Sequence, residues 1–320
     1  MAQTPEKEIE APDLFEAARA AGVEFCKPAL PEDRHVSVNG LRLHYLDWGD
    51  QGLPPLVFLH GTAQQAHSWD FAALSLRHKF RVLALDQRGH GDSEWAPDGD
   101  YSSEAYVADV AGFVDALELA GLALCGLSMG GRNAYQYASR RPKALRALIV
   151  VESAPVMGSR GRARIDRFMD GPQEFDEFEA IVMRVQAYTP HRSLPKIRGS
   201  LRNSTRQLPN GKWGFKYDPR IRGGVPVSEA LQVNSEEGRW RALSLVRCPT
   251  LFVIGEESGM IDDSTASRMV DAVPGSEVAR IPRAGHLVAG DNPTGFNVAV
   301  SSFLDRLETP HSRSARREKA

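Results

Sequence analysis

Short unbroken apolar runs, each followed by a stretch with helical spacing, dominate the middle of the chain. Leu56–Leu59 (LVFL), Arg81–Leu85 (RVLAL), Leu122–Leu127 and Ala147–Val151 (ALIVV) have strand length. Between them, Trp69–Leu76, Ser102–Leu119 and Met129–Ser139 read as helices. In the second, Tyr106, Val110, Phe113, Val114 and Leu117 recur at helical intervals behind a capping Ser102 or Ser103. Unalternated strands separated by helices predict an α/β fold: a doubly wound, mostly parallel sheet with helices on both faces. A hairpin opens it, His35–Val38 and Leu41–Leu46 joined by Asn39-Gly40.

The alternation lapses over residues 156–247, where Phe175–Tyr188 is the best helical piece and no clean strand run stands out. It resumes with Thr250–Ile254 (TLFVI), a helix over Ser264–Ala272, the run Val278–Ile281 and a helix over Thr294–Leu307. The expected organisation is therefore a core of residues 35–155 and 248–308, interrupted by a mainly helical insertion at 156–247. Residues 1–34 read as an arm, with a helix over Ala11–Ala21 that lies on the core or frays in solvent. Residues 309–320 read as a basic, disordered tail.

Composition narrows the class. Of 320 residues, 42% are hydrophobic and 25% charged, which fits a globular chain and excludes wholly disordered or collagen-like ones. No apolar run nears the roughly 18–20 residues of a membrane span, and the polar start lacks a signal-peptide pattern. The net charge of −2 gives no reason to expect nucleic acid as a partner. The insertion differs, with 17 Lys and Arg against 10 Asp and Glu, a balance of +7 against −9 elsewhere. Cys26, Cys125 and Cys248 fit neither a disulfide framework nor a zinc pattern, which suggests reduced thiols and a cytoplasmic protein. There is no P-loop, Rossmann fingerprint or metal-ligand cluster, so neither a cofactor nor a metal is expected.

Gly126-Leu127-Ser128-Met129-Gly130 matches G-x-S-x-G between a strand and a helix, the context of a nucleophile elbow. A serine hydroxyl needs a base to take its proton. His286, in the turn after the last short strand, lies at the same sheet edge; the other histidines read as structural. His60-Gly61-Thr62 follows the LVFL strand. The backbone N–H groups of Thr62 and Met129 can converge there on an oxyanion, with His60 stabilising the turn. The acid has competing candidates. Glu152 ends the ALIVV strand, and Asp262 or Asp263 follows the TLFVI strand; a structural Glu152 with no third member is the remaining option.

Together HGT at 60–62, DQRGHGDS at 86–93, GLSMGG at 126–131 and GH at 285–286 resemble the α/β-hydrolase fold family over about residues 36–155 and 248–307. The resemblance implies Ser128 as nucleophile, His286 as base, and Thr62 with Met129 as oxyanion hole. It makes Asp86 and Arg88 structural, and 156–247 the cap. Where many relatives carry an aspartate after the TLFVI strand, this chain has Ser258. Serine argues against the dehalogenases and epoxide hydrolases of this fold, which generally carry aspartate at that position. The expected function is hydrolysis of a carboxylic ester or lactone on a small molecule, through acyl-Ser128. Alternatives are a C–C bond hydrolase of β-diketone-like substrates, or a ligand receptor without turnover. Trp213, Tyr188 and Met157 are candidate substrate-lining residues, against the option that such aromatics form the cap's own core. Oligomeric state is left open, a homodimer being one option.

Overall fold

The computed structural model describes residues 13–223 and 235–307. The 309–320 tail and the first residues of the arm lie outside them. The strands are β1 (Glu32–Val38), β2 (Leu41–Asp47), β3 (Pro55–Leu59), β4 (Arg81–Leu85), β5 (Leu122–Leu127), β6 (Leu145–Val151), β7 (Glu174–Phe175), β8 (Thr205–Gln207), β9 (Trp213–Phe215), β10 (Thr250–Gly255) and β11 (Glu277–Ile281). The helices are α1 (Leu14–Ala20), α2 (Asp70–Leu76), α3 (Ser103–Ala116), α4 (Met129–Arg140), α5 (Ser159–Met169), α6 (Phe178–Tyr188), α7 (Leu194–Ser204), α8 (Glu236–Ser244), α9 (Asp263–Ala272), α10 (Val288–Asp291) and α11 (Pro293–Arg306).

Eight strands form the main sheet in the order β1-β2-β4-β3-β5-β6-β10-β11. The hairpin β1–β2 and the β2–β4 pair are antiparallel; the other pairs are parallel. Asn39 and Gly40 take positive φ, 50° and 79°, as the two-residue turn requires. Successive strand side chains point to opposite faces. Leu56 and Phe58 accordingly enter one apolar cluster with α1, α2, α10 and α11, while Val57 and Leu59 enter the other with α3, α4, α8 and α9. Both faces are covered, which is why the strands read as continuous apolar runs.

Two of the expected boundaries change. The body of the fold begins at Glu32, not His35. The arm lies on the core, one of the two options for it: Ala18 is fully buried and Thr294 Oγ1 donates to the Gly22 carbonyl at 3.1 Å. The insertion is mainly helical, with α5, α6, α7 and α8, and it also carries short strands. β7, β9 and β8 form an antiparallel sheet of their own, over a separate cluster that includes Phe175, Ile181, Ile197 and Phe215. Those strands are two or three residues long, too short for a periodic signal. Finally, α8 belongs to the core although it precedes residue 247. Trp240, Ala242 and Leu243 are buried in the cluster shared with α4 and α9.

Because Trp240 is 8% exposed and is covered by the Arg268 guanidinium at 3.9 Å from its ring centre, Trp240→Ala is expected to cost about 3–5 kcal/mol. Urea unfolding of the two proteins checks this; a cost below about 1 kcal/mol would place α8 outside the core.

Candidate active site

β5 runs straight into α4, and Ser128 sits at the junction with φ 53° and ψ −113°. An L-residue holds such a conformation only when its surroundings over-determine it. Two glycines let them do so. A Cβ at Gly126 would lie 2.2 Å from the Gly130 carbonyl oxygen, and one at Gly130 would lie 2.3 Å from that of Leu59. The Ser128 N–H donates to the Val151 carbonyl at 2.9 Å, which ties the elbow to the end of β6. Met129 opens α4, where the first backbone N–H groups have no intrahelical acceptor.

The turn after β3 closes on the same point. A Cβ at Gly61 would sit 3.4 Å from the Ser128 Cβ, and Thr62 follows in the turn. His60, fully buried, holds that turn: Nδ1–H donates to the Gly61 carbonyl at 2.8 Å and Nε2 accepts the Gln87 N–H at 3.0 Å. Gln87 Nε2 donates to the His60 carbonyl at 2.7 Å, and Asn133 of α4 donates to Gln87 Oε1 at 2.8 Å. Burial lowers the His60 pKa and pushes that of neighbouring His90 down to about 3, so both rings stay neutral. Gln87 and Asn133 are the residues that sequence reading missed. Gln87 lies within DQRGHGDS, but nothing in the spacing shows its link to His60.

Glu152 follows β6 with φ 47° and no solvent exposure. Its N–H donates to the Val253 carbonyl at 2.9 Å, so the residue continues the register between β6 and β10. Its carboxylate has two partners: Oε1 accepts the Gly255 N–H at 2.8 Å, and Oε2 meets His286 Nδ1 at 3.2 Å. A buried carboxylate is stable only with such partners. The loop bearing His286 passes over Gly255, where a Cβ would lie 2.4 Å from the Gly285 carbonyl oxygen. With Nδ1–H directed at Glu152, the tautomer leaves Nε2 as a proton acceptor.

The other carboxylates point elsewhere. Asp262 caps α9, accepting the Thr265 N–H at 2.7 Å, and exposed Asp263 pairs with Arg280. Each lining candidate packs on apolar neighbours, with Tyr188 and Met157 only partly buried. Trp213 is buried in the insertion's own cluster, edge-on to Phe178 at 5.4 Å. Tyr188 packs on Phe168 at 4.7 Å, and Met157 packs against the main core. Asp86 and Arg88 are structural. Asp86 accepts the N–H groups of Ala66 and Asp92, and Arg88 makes a two-pronged pair with Asp109 while donating to the Asp100 carbonyl. Among the described residues, His44, Asp86 and Asp92 bring ligand atoms within 4.8 Å of one another, a grouping no linear spacing shows. Its side chains are already engaged: His44 Nδ1 meets Asp86 at 2.8 Å, and Asp92 accepts from the Lys216 ammonium at 2.9 Å.

A sheet of this order with a strained serine at its centre defines a hydrolase architecture. A sequence-family model described as alpha/beta hydrolase fold matches residues 54–293. The chain belongs to the α/β-hydrolase fold family, and it is an enzyme. The esterase Rv0045c of Mycobacterium tuberculosis is 29% identical over 91% of this chain and 94% of its own length. N-formylmaleamate deformylase of Pseudomonas putida is 31% identical over 85% of this chain and 96% of its own. A crystal structure of the mycobacterial esterase superposes with a TM-score of 0.73 at 28% identity, covering 91% of this chain and 97% of that one. The structure of E-2-(acetamidomethylene)succinate hydrolase gives 0.75 at 22%, a likeness of fold, over 86% and 99%.

The buried His44–Asp86 pair generates a pH dependence. Burial alone would lower the His44 pKa, but its bonds to Asp86 and Asp33 raise it; burial alone would raise that of Asp86, but His44 holds it down. The His44 contribution to stability is full below about pH 6.5 and fades as pH rises through its raised folded value. The Asp86 contribution is full above about pH 4 and fades as pH falls through its lowered one. The stability difference between wild type and His44→Gln should therefore peak between about pH 4 and 6.5. Urea unfolding across pH 3–9 checks it; a difference that is flat with pH would contradict the pair.

Proposed function

We propose that this hydrolase cleaves a carboxylic ester or lactone through a covalent acyl-Ser128 intermediate. One observation carries the reading: the fully buried Glu152 meets His286 Nδ1, while its other oxygen is held by the Gly255 N–H. In the proposed cycle His286 Nε2 takes the Ser128 hydroxyl proton as Oγ attacks the substrate carbonyl. Glu152 stabilises the imidazolium that forms. The Thr62 and Met129 N–H groups receive the oxyanion. Collapse expels the alcohol, protonated by His286, and leaves the acyl ester on Ser128. Water, activated by His286, then releases the acid and regenerates the serine.

The segment from α5 to Arg220 is proposed as the cap. It has its own apolar cluster and rests on the core at defined points. The Asp218 N–H donates to the Gly89 carbonyl at 2.8 Å, and Arg192 bonds Asp291 of α10 at 2.7 Å. A second reading, hydrolysis of an amide bond in a carboxylate-bearing molecule, draws on the relative named N-formylmaleamate deformylase and on the basic charge of the insertion. The relatives named above are enzymes, so a receptor without turnover is not carried forward. Among the described residues no helix is long and apolar enough to cross a membrane. A cytoplasmic setting is proposed on the three free cysteines, one of them exposed.

Wild type should gain one adduct in intact mass after brief exposure to a fluorophosphonate, and Ser128→Ala none. On 4-nitrophenyl esters, Glu152→Ala should lose about 10²–10⁴-fold in kcat, while Asp262→Ala and Asp263→Ala stay near wild type. An adduct on Ser128→Ala, or a larger loss in either aspartate variant than in Glu152→Ala, would refute the assignment.

A further inference from the structure

The segment after β11 that carries His286 is held by one group of the core and one of the insertion. Asp291, at the end of α10, turns its carboxylate back toward the loop. Its Oδ2 accepts the Gly285 N–H at 3.0 Å, on one side of His286. On the other side, Arg192 Nη2 donates to the Leu287 carbonyl at 3.3 Å. The two holding groups are bound to each other, Arg192 Nε to Asp291 Oδ1 at 2.7 Å, with His191 Nε2 on the same oxygen at 3.1 Å. The side chains of Arg192 and Asp291 are 10% and 2% exposed, so this pair is shielded from water. Burial alone would push the Asp291 carboxyl up, but the Arg192 and His191 interactions hold it below the usual carboxylate range.

The fit is close on both flanks. A Cβ at Gly290 would lie 2.6 Å from Arg192 Nη2, so the guanidinium lies directly against the α10 backbone. A Cβ at Gly285 would come within 3.3 Å of Asp291 Oδ2. Arg192 belongs to the loop between α6 and α7, in the insertion, and Asp291 belongs to the core. The histidine loop is thus clamped by a group that is present only when the insertion is seated.

We propose that Arg192 is a positioning residue for His286: with Asp291, it holds the backbone on both sides of the histidine where the ring meets Glu152. The inference rests on His286 acting as the base. A bidentate guanidinium can hold a carboxylate and a carbonyl at once, and small displacements of a base are costly to turnover. The seating of the insertion and the alignment of the base become one event.

Steady-state kinetics with 4-nitrophenyl butyrate on wild type, Arg192→Ala, Gly290→Ala and His286→Ala test this. Arg192→Ala should lower kcat about 10- to 100-fold with KM little changed. Guanidinium chloride, but not an equal concentration of sodium chloride, should restore part of that loss. Gly290→Ala adds a favoured helical residue and leaves every charge in place, yet displaces the guanidinium. It should lower kcat in the same way. Unchanged kcat in Arg192→Ala overturns the proposal, as does a rise in KM alone, which would make Arg192 a substrate contact. A loss that guanidinium does not restore and that tracks the folded fraction by circular dichroism also overturns it, since Arg192 would then only anchor the insertion. His286→Ala separates the two readings. If it keeps wild-type turnover, the base assignment itself fails. If it loses turnover while Arg192→Ala keeps it, only the positioning role fails.

Discussion

A carboxylate with no exposure to water, placed where a central strand ends, constrains everything around it. Glu152 must find hydrogen-bond donors or cost several kcal/mol. The structure supplies two, the Gly255 N–H and the His286 ring. Each has a structural consequence. The first locks the end of β6 to the end of β10. The second requires the loop after β11 to cross over β10, which the chain achieves by placing glycine at 255, where any side chain would strike that loop. Ser128 is drawn into the same frame through its N–H bond to Val151, the residue before Glu152. The strand ends, the elbow and the histidine loop are therefore one mechanical unit.

A second set of buried polar groups supports the opposite wall. His60 is neutral, desolvated and bonded on both ring nitrogens, one to its own turn and one to Gln87. Gln87 in turn reaches α4 through Asn133. Buried hydrogen-bond networks of this kind couple the elements they connect. Here they connect the Gly61-Thr62 turn to the helix that begins at Met129, the two elements whose N–H groups must converge if an oxyanion is to be held. The buried His44–Asp86 pair fastens β2 to the loop that contains Gln87.

The insertion meets this frame through both polar and apolar contacts: it has its own cluster, but Ile165 also packs against the main core and Ile221 against the group of Tyr101, Tyr106 and Met129. Asp218 illustrates the economy of the junction. Its N–H bonds the Gly89 carbonyl, and its carboxylate takes both the Tyr101 hydroxyl and the Arg220 guanidinium. Polar junctions of this kind separate at lower cost than an apolar core, since water can replace the lost partners.

Much of the frame was legible in the residues alone. Apolar runs of strand length, helical spacing between them and an Asn-Gly turn dictate the main sheet, because burial on two faces forces continuous apolar strands. G-x-S-x-G was readable as an elbow because only small residues fit where the strand turns sharply. What the sequence left open was settled by approach in space. Glu152, Asp262 and Asp263 are equivalent as carboxylates in a string of letters. Only the β6–β10–β11 adjacency brings one of them to His286 and leaves the others capping α9 or pairing with Arg280. The membership of α8 in the core and the clamp of Arg192 on Asp291 escaped for the same reason. Each is a contact between residues tens of positions apart, and no local periodicity encodes a distance across the fold.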